Sequence, residues 1–213
     1  MAELESLATE ESRDRHLARH HLDRLIMLCD GVFAIAVTLA AVEIRVPEGL
    51  HTLGDVFNAI GVQLLTYLIS FVVIVTFWLS NRDLFARLTR VDLAVTLLTL
   101  GTLCFVALIP ASSHMIGPSA DVTGSLRFYA LTMTLSGACN LAAWVYAAYR
   151  RGLMRSDVPR IFLVSRILSA ISVPLLFGIV LIAPSTAMLQ LMIPLAALMV
   201  FARRFVIPRV IHD

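Results

Sequence analysis

The chain contains no lysine; all 17 of its basic residues are arginine. It also has little charge of either sign, with 15% charged residues in 213, and no polar stretch of domain length after residue 20. A soluble domain beside the apolar segments is therefore not expected. Cysteine is scarce: Cys29, Cys104 and Cys139, an odd number with no Cys-x-x-Cys spacing. That excludes a disulfide framework and a zinc site. Paired carboxylates, a histidine–cysteine cluster, a Ser/His/Asp arrangement and a glycine-rich phosphate loop are missing too, so the chain does not read as an enzyme. Nothing points to nucleic acid, to a cofactor or to a metal site. Cys29 beside Asp30 is no nucleophile–base pair, because adjacent helical side chains point about 100° apart. The first 20 residues hold no apolar core ahead of a cleavage site, so no removable signal peptide is expected.

What the chain does have is apolar length. It is 59% hydrophobic, with a mean hydropathy of +0.85, against about 45–50% apolar in soluble domains. Six segments are long enough to cross about 30 Å of hydrocarbon as helices: 22–45, 57–80, 91–112, 125–149, 161–182 and 185–206. The expected fold is an all-α membrane protein with six transmembrane helices. A polar N-terminal tail (1–21) precedes the apolar six-helix domain (22–206), and a short tail (207–213) follows it. Fifteen of the 17 arginines lie before span 1, between spans 2 and 3, around the span 4–5 junction or after span 6; Arg45 and Arg127 lie on the other side. By the positive-inside rule both tails are cytoplasmic. The bunched arginines at 150–166 suit anionic lipid headgroups, but orientation alone also accounts for them.

Residues 24–45, RLIMLCDGVFAIAVTLAAVEIR, carry one acid inside the apolar run. A carboxylate there needs a local partner or a wet cavity. With a helical step of about 100°, Gly31, Ile35, Thr38, Leu39 and Val42 share one stripe within about 60° of Ile35, and Arg24 falls within about 20° of it. Asp30 lies about 140° from Ile35. The two faces cannot serve one cavity, and a charged Asp facing lipid is excluded on cost. Asp30 is thus expected to turn toward its own subunit as a buried, hydrogen-bonded lock, with Trp78, Ser80, Asn81, Arg82, Ser112, Ser113 and His114 as candidate partners. The stripe is left to helix packing or to a pore.

Arg24-Leu-Ile-Met-Leu28-Cys29-Asp30, followed by GVFAIAVTL, resembles the Arg-x-x-x-Phe-Ser-Asp signature that opens the first helix of the transmembrane protein 175 family, the lysosomal potassium channel and its bacterial relatives. TYLISFVVIVTFWLSNRDLF (66–85) and LLTLGTLCFVALIP (97–110) resemble that family's second and third helices. The resemblance covers residues 22–206. It implies a homotetramer in the cell (inner or plasma) membrane, with helix 1 of each subunit lining a central pore that has no carbonyl filter. It makes Ile35 the constriction, Leu39 and Val42 the next apolar layers, and Thr38 the residue linked to potassium preference. Arg24, Cys29 and Asp30, with Trp78 and Asn81, would form the structural network. Two departures stand out: Leu28 and Cys29 replace the signature's Phe and Ser, and Asn81 and Arg82 stand where the family often has His.

The function expected on this basis is a weakly selective, potassium-preferring leak channel, with the lipid bilayer, potassium ions and its own copies as partners. Glu43, Glu48 and Asp55 would concentrate cations at the outer mouth. The alternative is a proton channel or proton-coupled carrier using Asp30.

Overall fold

Each described apolar run becomes a helix, because no other single segment satisfies its own backbone groups in hydrocarbon. The computed structural model describes residues 1–183 apart from 43, 45, 50, 51, 117–121, 151 and 156; helical side chains are described from residue 20 on, except 122. The described helices are α1 (Ala2–Val42), α2 (Leu53–Phe85), α3 (Leu93–His114), α4 (Val122–Tyr149) and α5 (Arg160–Ile182). All five are long and apolar enough to cross a membrane. The expected sixth span at 185–206 and the tail at 207–213 lie outside the described residues.

Two boundaries differ from the sequence reading. The polar tail 1–21 is helical and runs without a break into the first span. Helix α2 starts at Leu53, earlier than the expected 57. It starts there because Thr52 and Asp55 form a capping box: Thr52 Oγ1 accepts from Asp55 N–H at 3.2 Å, and Asp55 accepts from Thr52 N–H at 3.1 Å. The box satisfies two N–H groups that the first turn leaves open. The helix also runs on past 80 to Phe85, carrying Asn81, Arg82 and Asp83 within it.

Helix α1 packs on α2 and α3, α3 on α4, and α4 on α5. Phe33, Phe77, Tyr129, Trp144 and Phe177 are buried in the shared core. Helix α4 approaches α5 closely at Gly137, where a Cβ would lie 2.6 Å from Cδ and 2.9 Å from N of Pro174. Pro174 stands inside α5, and its ring takes the space that glycine leaves.

A polar seam crosses this core. Ser80 Oγ accepts from Trp144 Nε1 at 2.8 Å and from Asn140 Nδ2 at 3.1 Å. Ser70 and Tyr129 share a hydrogen bond of 2.9 Å. Inter-helix hydrogen bonds in hydrocarbon contribute on the order of 1 kcal/mol each.

At one end the α2–α3 and α4–α5 loops are zipped together. Thr89 N–H donates to Leu153 O at 2.8 Å, Arg155 N–H donates to Arg87 O at 3.0 Å, and Leu88 and Met154 form an antiparallel bridge. Asp92 caps α3 by accepting from Val95 N–H at 2.9 Å, and it also accepts from the Tyr146 hydroxyl at 2.7 Å. Burial alone would push the Asp92 carboxyl up, but these two donors and nearby Arg150 outweigh it and hold it below the ordinary carboxylate range.

Candidate ion pathway along helix α1

Within the membrane, α1 has two faces of different fate. Leu25, Cys29, Phe33, Ala36 and Ala40 recur at helical spacing and are buried, with Cys29, Phe33 and Ala36 each 2% exposed. The opposite stripe is exposed. Ile35 is 59% exposed, Leu39 46% and Val42 76%. Arg24, Leu28, Gly31 and Thr38 are exposed beside them, and nothing lies within 4 Å of a Cβ added at Gly31. The small Ala36 and Ala40 let α1 sit close on its neighbours, which fixes the outward aim of the stripe.

Thr38 does more than fill a place on that stripe. Its hydroxyl donates back to Ala34 O (3.1 Å) and Ile35 O (3.0 Å). Back-bonding of this kind is a common helical habit of threonine. Here it engages the hydroxyl proton with the helix's own carbonyls and leaves the oxygen available as an acceptor.

Asp30 does not take the place expected for it. It is exposed at the edge of the subunit rather than buried. The reason is angular. The buried stripe centres near Cys29 and Phe33, and Asp30 lies about 100° from that centre, over the α1–α2 seam. It is nonetheless partnered: Trp78 Nε1 donates to Asp30 Oδ1 at 2.7 Å. A short N–H···O⁻ bond of this kind is charge-assisted. The guanidinium of Arg82 lies 5.3 Å from the Trp78 ring centroid, a cation–π distance. The Asp30–Trp78 pair divides the seam into two grooves. One of about 290 Å³ is lined by Asp30, Phe33, Ala34, Val37, Ile74, Val75 and Trp78. The other, about 310 Å³, is lined by Ile26, Cys29, Asp30, Trp78, Asn81, Arg82, Phe85 and Ala86.

The other candidate partners go elsewhere. Asn81 is 2% exposed and makes no bond to Asp30; neither amide atom has a hydrogen-bond partner. Ser80 belongs to the Asn140–Trp144 cluster. Ser112 and Ser113 donate to their own backbone at Ile109 O and Pro110 O. His114 is exposed near Gln63 and Tyr67. Of the outer acids, Glu43 lies outside the described residues, Glu48 is exposed, and Asp55 is engaged as a helix cap.

Several polar residues escaped the sequence reading. Asp83 forms an ion pair with Arg166 and lies 4.0 Å from Arg87. Both arginines stack on Phe162, Arg87 at 3.9 Å and Arg166 at 5.1 Å from its centroid. Asn140 and Trp144 were also missed. A polar residue isolated in an apolar run was the available signal, but spacing cannot name a partner on another helix.

Known proteins resemble this chain in sequence and in fold. Residues 24–110 match the family model described as "Endosomal/lysosomal potassium channel TMEM175". A protein named as a potassium channel in Streptomyces collinus is 36% identical over 96 residues, 44% of this chain and 46% of that protein. One so named in a Chryseobacterium species is 27% identical over 113 residues, 53% of this chain and 58% of that protein. Another, from Chamaesiphon minutus, is 29% identical over 178 residues, 73% of this chain and 88% of that protein. The chain thus spans about half the length of the first two of these relatives. The fold matches the crystal structure of a lysosomal potassium-selective channel TMEM175 homolog from Chamaesiphon minutus, with a TM-score of 0.72 at 21% identity, covering 89% of this chain and 100% of that one. Residues 24–110 are thus similar to the TMEM175 family model, and the all-helical fold is that of the solved TMEM175 homolog.

Proposed function

We propose that this multi-pass membrane protein is a potassium-preferring, weakly selective cation leak channel in the cell membrane. Four copies set their α1 helices around one axis, with no carbonyl filter and no resident cofactor. The observation that carries this reading is the exposed stripe of α1. A transmembrane helix that only had to face lipid would gain nothing from Gly31 and Thr38 on its outer face, whereas a pore lining uses both.

Four Ile35 side chains form the apolar neck, which gates by dewetting or by a small helix rotation. Leu39 and Val42 supply the next layers. The oxygens of four Thr38 hydroxyls replace part of the hydration shell of the ion. Hydroxyls are weak ligands, so selectivity is modest. Glu48, with Glu43, raises the local cation concentration at the outer mouth. Cys29, Asp30 and Trp78 hold α1 in register against α2 and stay out of the permeation path, whereas Arg24 is exposed and Asn81 makes no bond to Asp30. The partners are the bilayer, potassium ions and three further copies of the chain; the activity is not enzymatic.

The test is potassium flux in liposomes containing the purified protein. Ile35→Asn is expected to raise flux by wetting the neck, and Thr38→Ala to lower the preference for potassium over sodium. Absence of cation flux, or an Ile35→Asn variant that behaves as the parent does, refutes the reading. So do particles of the purified protein without a fourfold axis beside α1.

A further inference from the structure

Arginines far apart in sequence converge where the α2–α3 and α4–α5 loops are zipped. The Thr89–Leu153 and Arg155–Arg87 hydrogen bonds fix the two loops side by side. They bring Arg90 over Gly152, with Nη2 3.8 Å from the position of a Cβ there. Arg87 and Arg166 both lie within cation–π distance of Phe162, and Asp83 serves both of them. Burial, aided by nearby Arg166, lowers the pKa of Arg87 despite the opposing pull of Asp83. Arg155 has only the exposed Asp157, at 3.5 Å. Arg90 and Arg160 are exposed and have no carboxylate at ion-pair distance among the described residues. Counted together, six arginines (87, 90, 150, 155, 160, 166) meet three aspartates (83, 92, 157), which leaves three positive charges on one rigid patch. Immediately beyond Arg160 an apolar stripe begins on α5, with Ile161 78%, Val164 56% and Leu168 59% exposed.

Topogenesis explains why arginines lie on this side of the membrane. It does not require two loops to hydrogen-bond so that arginine-bearing segments lie side by side next to an exposed apolar stripe. We propose that this patch binds the phosphate of an anionic phospholipid from the leaflet that the arginine distribution assigns to the cytoplasm. Arg90, Arg155 and Arg160 take the headgroup, the Arg87–Phe162–Arg166 stack forms its floor, and an acyl chain lies along Ile161, Val164 and Leu168. Guanidinium forks suit phosphate oxygens through paired N–H donors. The proposal does not depend on potassium conduction.

The experiment is native mass spectrometry of the full chain in detergent, titrated with phosphatidylglycerol or with phosphatidylcholine of the same acyl chains. Each arginine facing an anionic headgroup contributes about a fivefold gain. The parent protein should therefore retain phosphatidylglycerol at least about tenfold more tightly than phosphatidylcholine. R90Q/R155Q/R160Q should lose most of that preference, and the charge-matched control R13Q/R15Q/R19Q should keep it. Equal retention of the two lipids by the parent overturns the proposal. So does an unchanged preference in R90Q/R155Q/R160Q, or an equal loss in the control. Displacement of the lipid by millimolar inorganic phosphate overturns it in favour of a soluble anion. If the triple variant does not fold, the parent decides alone: its preference must shrink when salt rises from about 0.05 M to about 0.5 M, because the contact is exposed and screened, and a salt-independent preference refutes it.

Discussion

Replacing Trp78 with Phe removes one N–H and keeps an aromatic ring under Arg82, so it isolates the hydrogen bond that ties α1 to α2. The bond is 2.7 Å long, with indole nitrogen donating to Asp30 Oδ1. Hydrogen bonds to charged groups contribute about 1.5–3 kcal/mol where they are shielded. Asp30 is exposed at the rim of two grooves, so the lower end applies, about 1–1.5 kcal/mol per subunit. Asp30→Asn keeps an oxygen acceptor but loses the charge, and neutral bonds have roughly half the strength. The double-mutant cycle Trp78→Phe, Asp30→Asn and both together should then give a coupling of about 0.5–1 kcal/mol. Thermal unfolding of the purified protein in detergent reads the stability, and potassium flux in liposomes is measured alongside. For a lock, stability and assembly fall together, and any loss of flux follows them. For a proton carrier, Asp30→Asn abolishes transport while stability and assembly hold. A coupling of zero would refute the argument that this bond holds α1 in place.

Gly137→Ala pushes a methyl to within 2.6 Å of the Pro174 ring and 2.9 Å of its backbone nitrogen. That overpacking should cost about 1–3 kcal/mol, more than the gain of up to about 1 kcal/mol from alanine's helix propensity. Gly178→Ala, with nothing within 4 Å, keeps only the gain; unfolding temperatures of the two variants should move in opposite directions. The carboxyl of Asp92 is held low in the folded protein, so its contribution is present above about pH 4, the ordinary carboxylate value. It is lost as pH falls through the lower folded value. Asp92→Asn should therefore lose stability at neutral pH and show a flatter acid limb in unfolding measured between about pH 6 and pH 3. Identical acid limbs for parent and variant would contradict the Val95 and Tyr146 hydrogen bonds as the cause.

Much of the architecture was legible in the sequence because hydrocarbon leaves few choices. Apolar runs of about 20 residues have to be helices, and five of the expected spans appear as helices with boundaries off by a few residues. The errors at α2 came from chemistry that hydropathy does not weigh, namely the Thr52–Asp55 box at one end and polar but helix-compatible Asn81–Asp83 at the other. The stripe of Ile35, Thr38, Leu39 and Val42 was also readable, since helical register separates two faces without any partner coordinates.

Asp30 marks the limit of that reading. Its angle from Ile35 excluded it from the stripe, but the same angle cannot say whether it is buried, because burial depends on where α2 and α3 lie. The tertiary structure placed it on the α1–α2 seam, chose Trp78 over Asn81 from two residues on one helix face, and left Asn81 buried without a hydrogen bond. Likewise the arginine spacing led to the expectation of one basic side, while the zipped loops set the segments carrying Arg87, Arg90 and Arg155 side by side. Composition and periodicity are properties of a single helix and its solvent, and they determined the spans and the two faces of α1. Partners across helices depend on which surfaces meet, and only packing in three dimensions decided those.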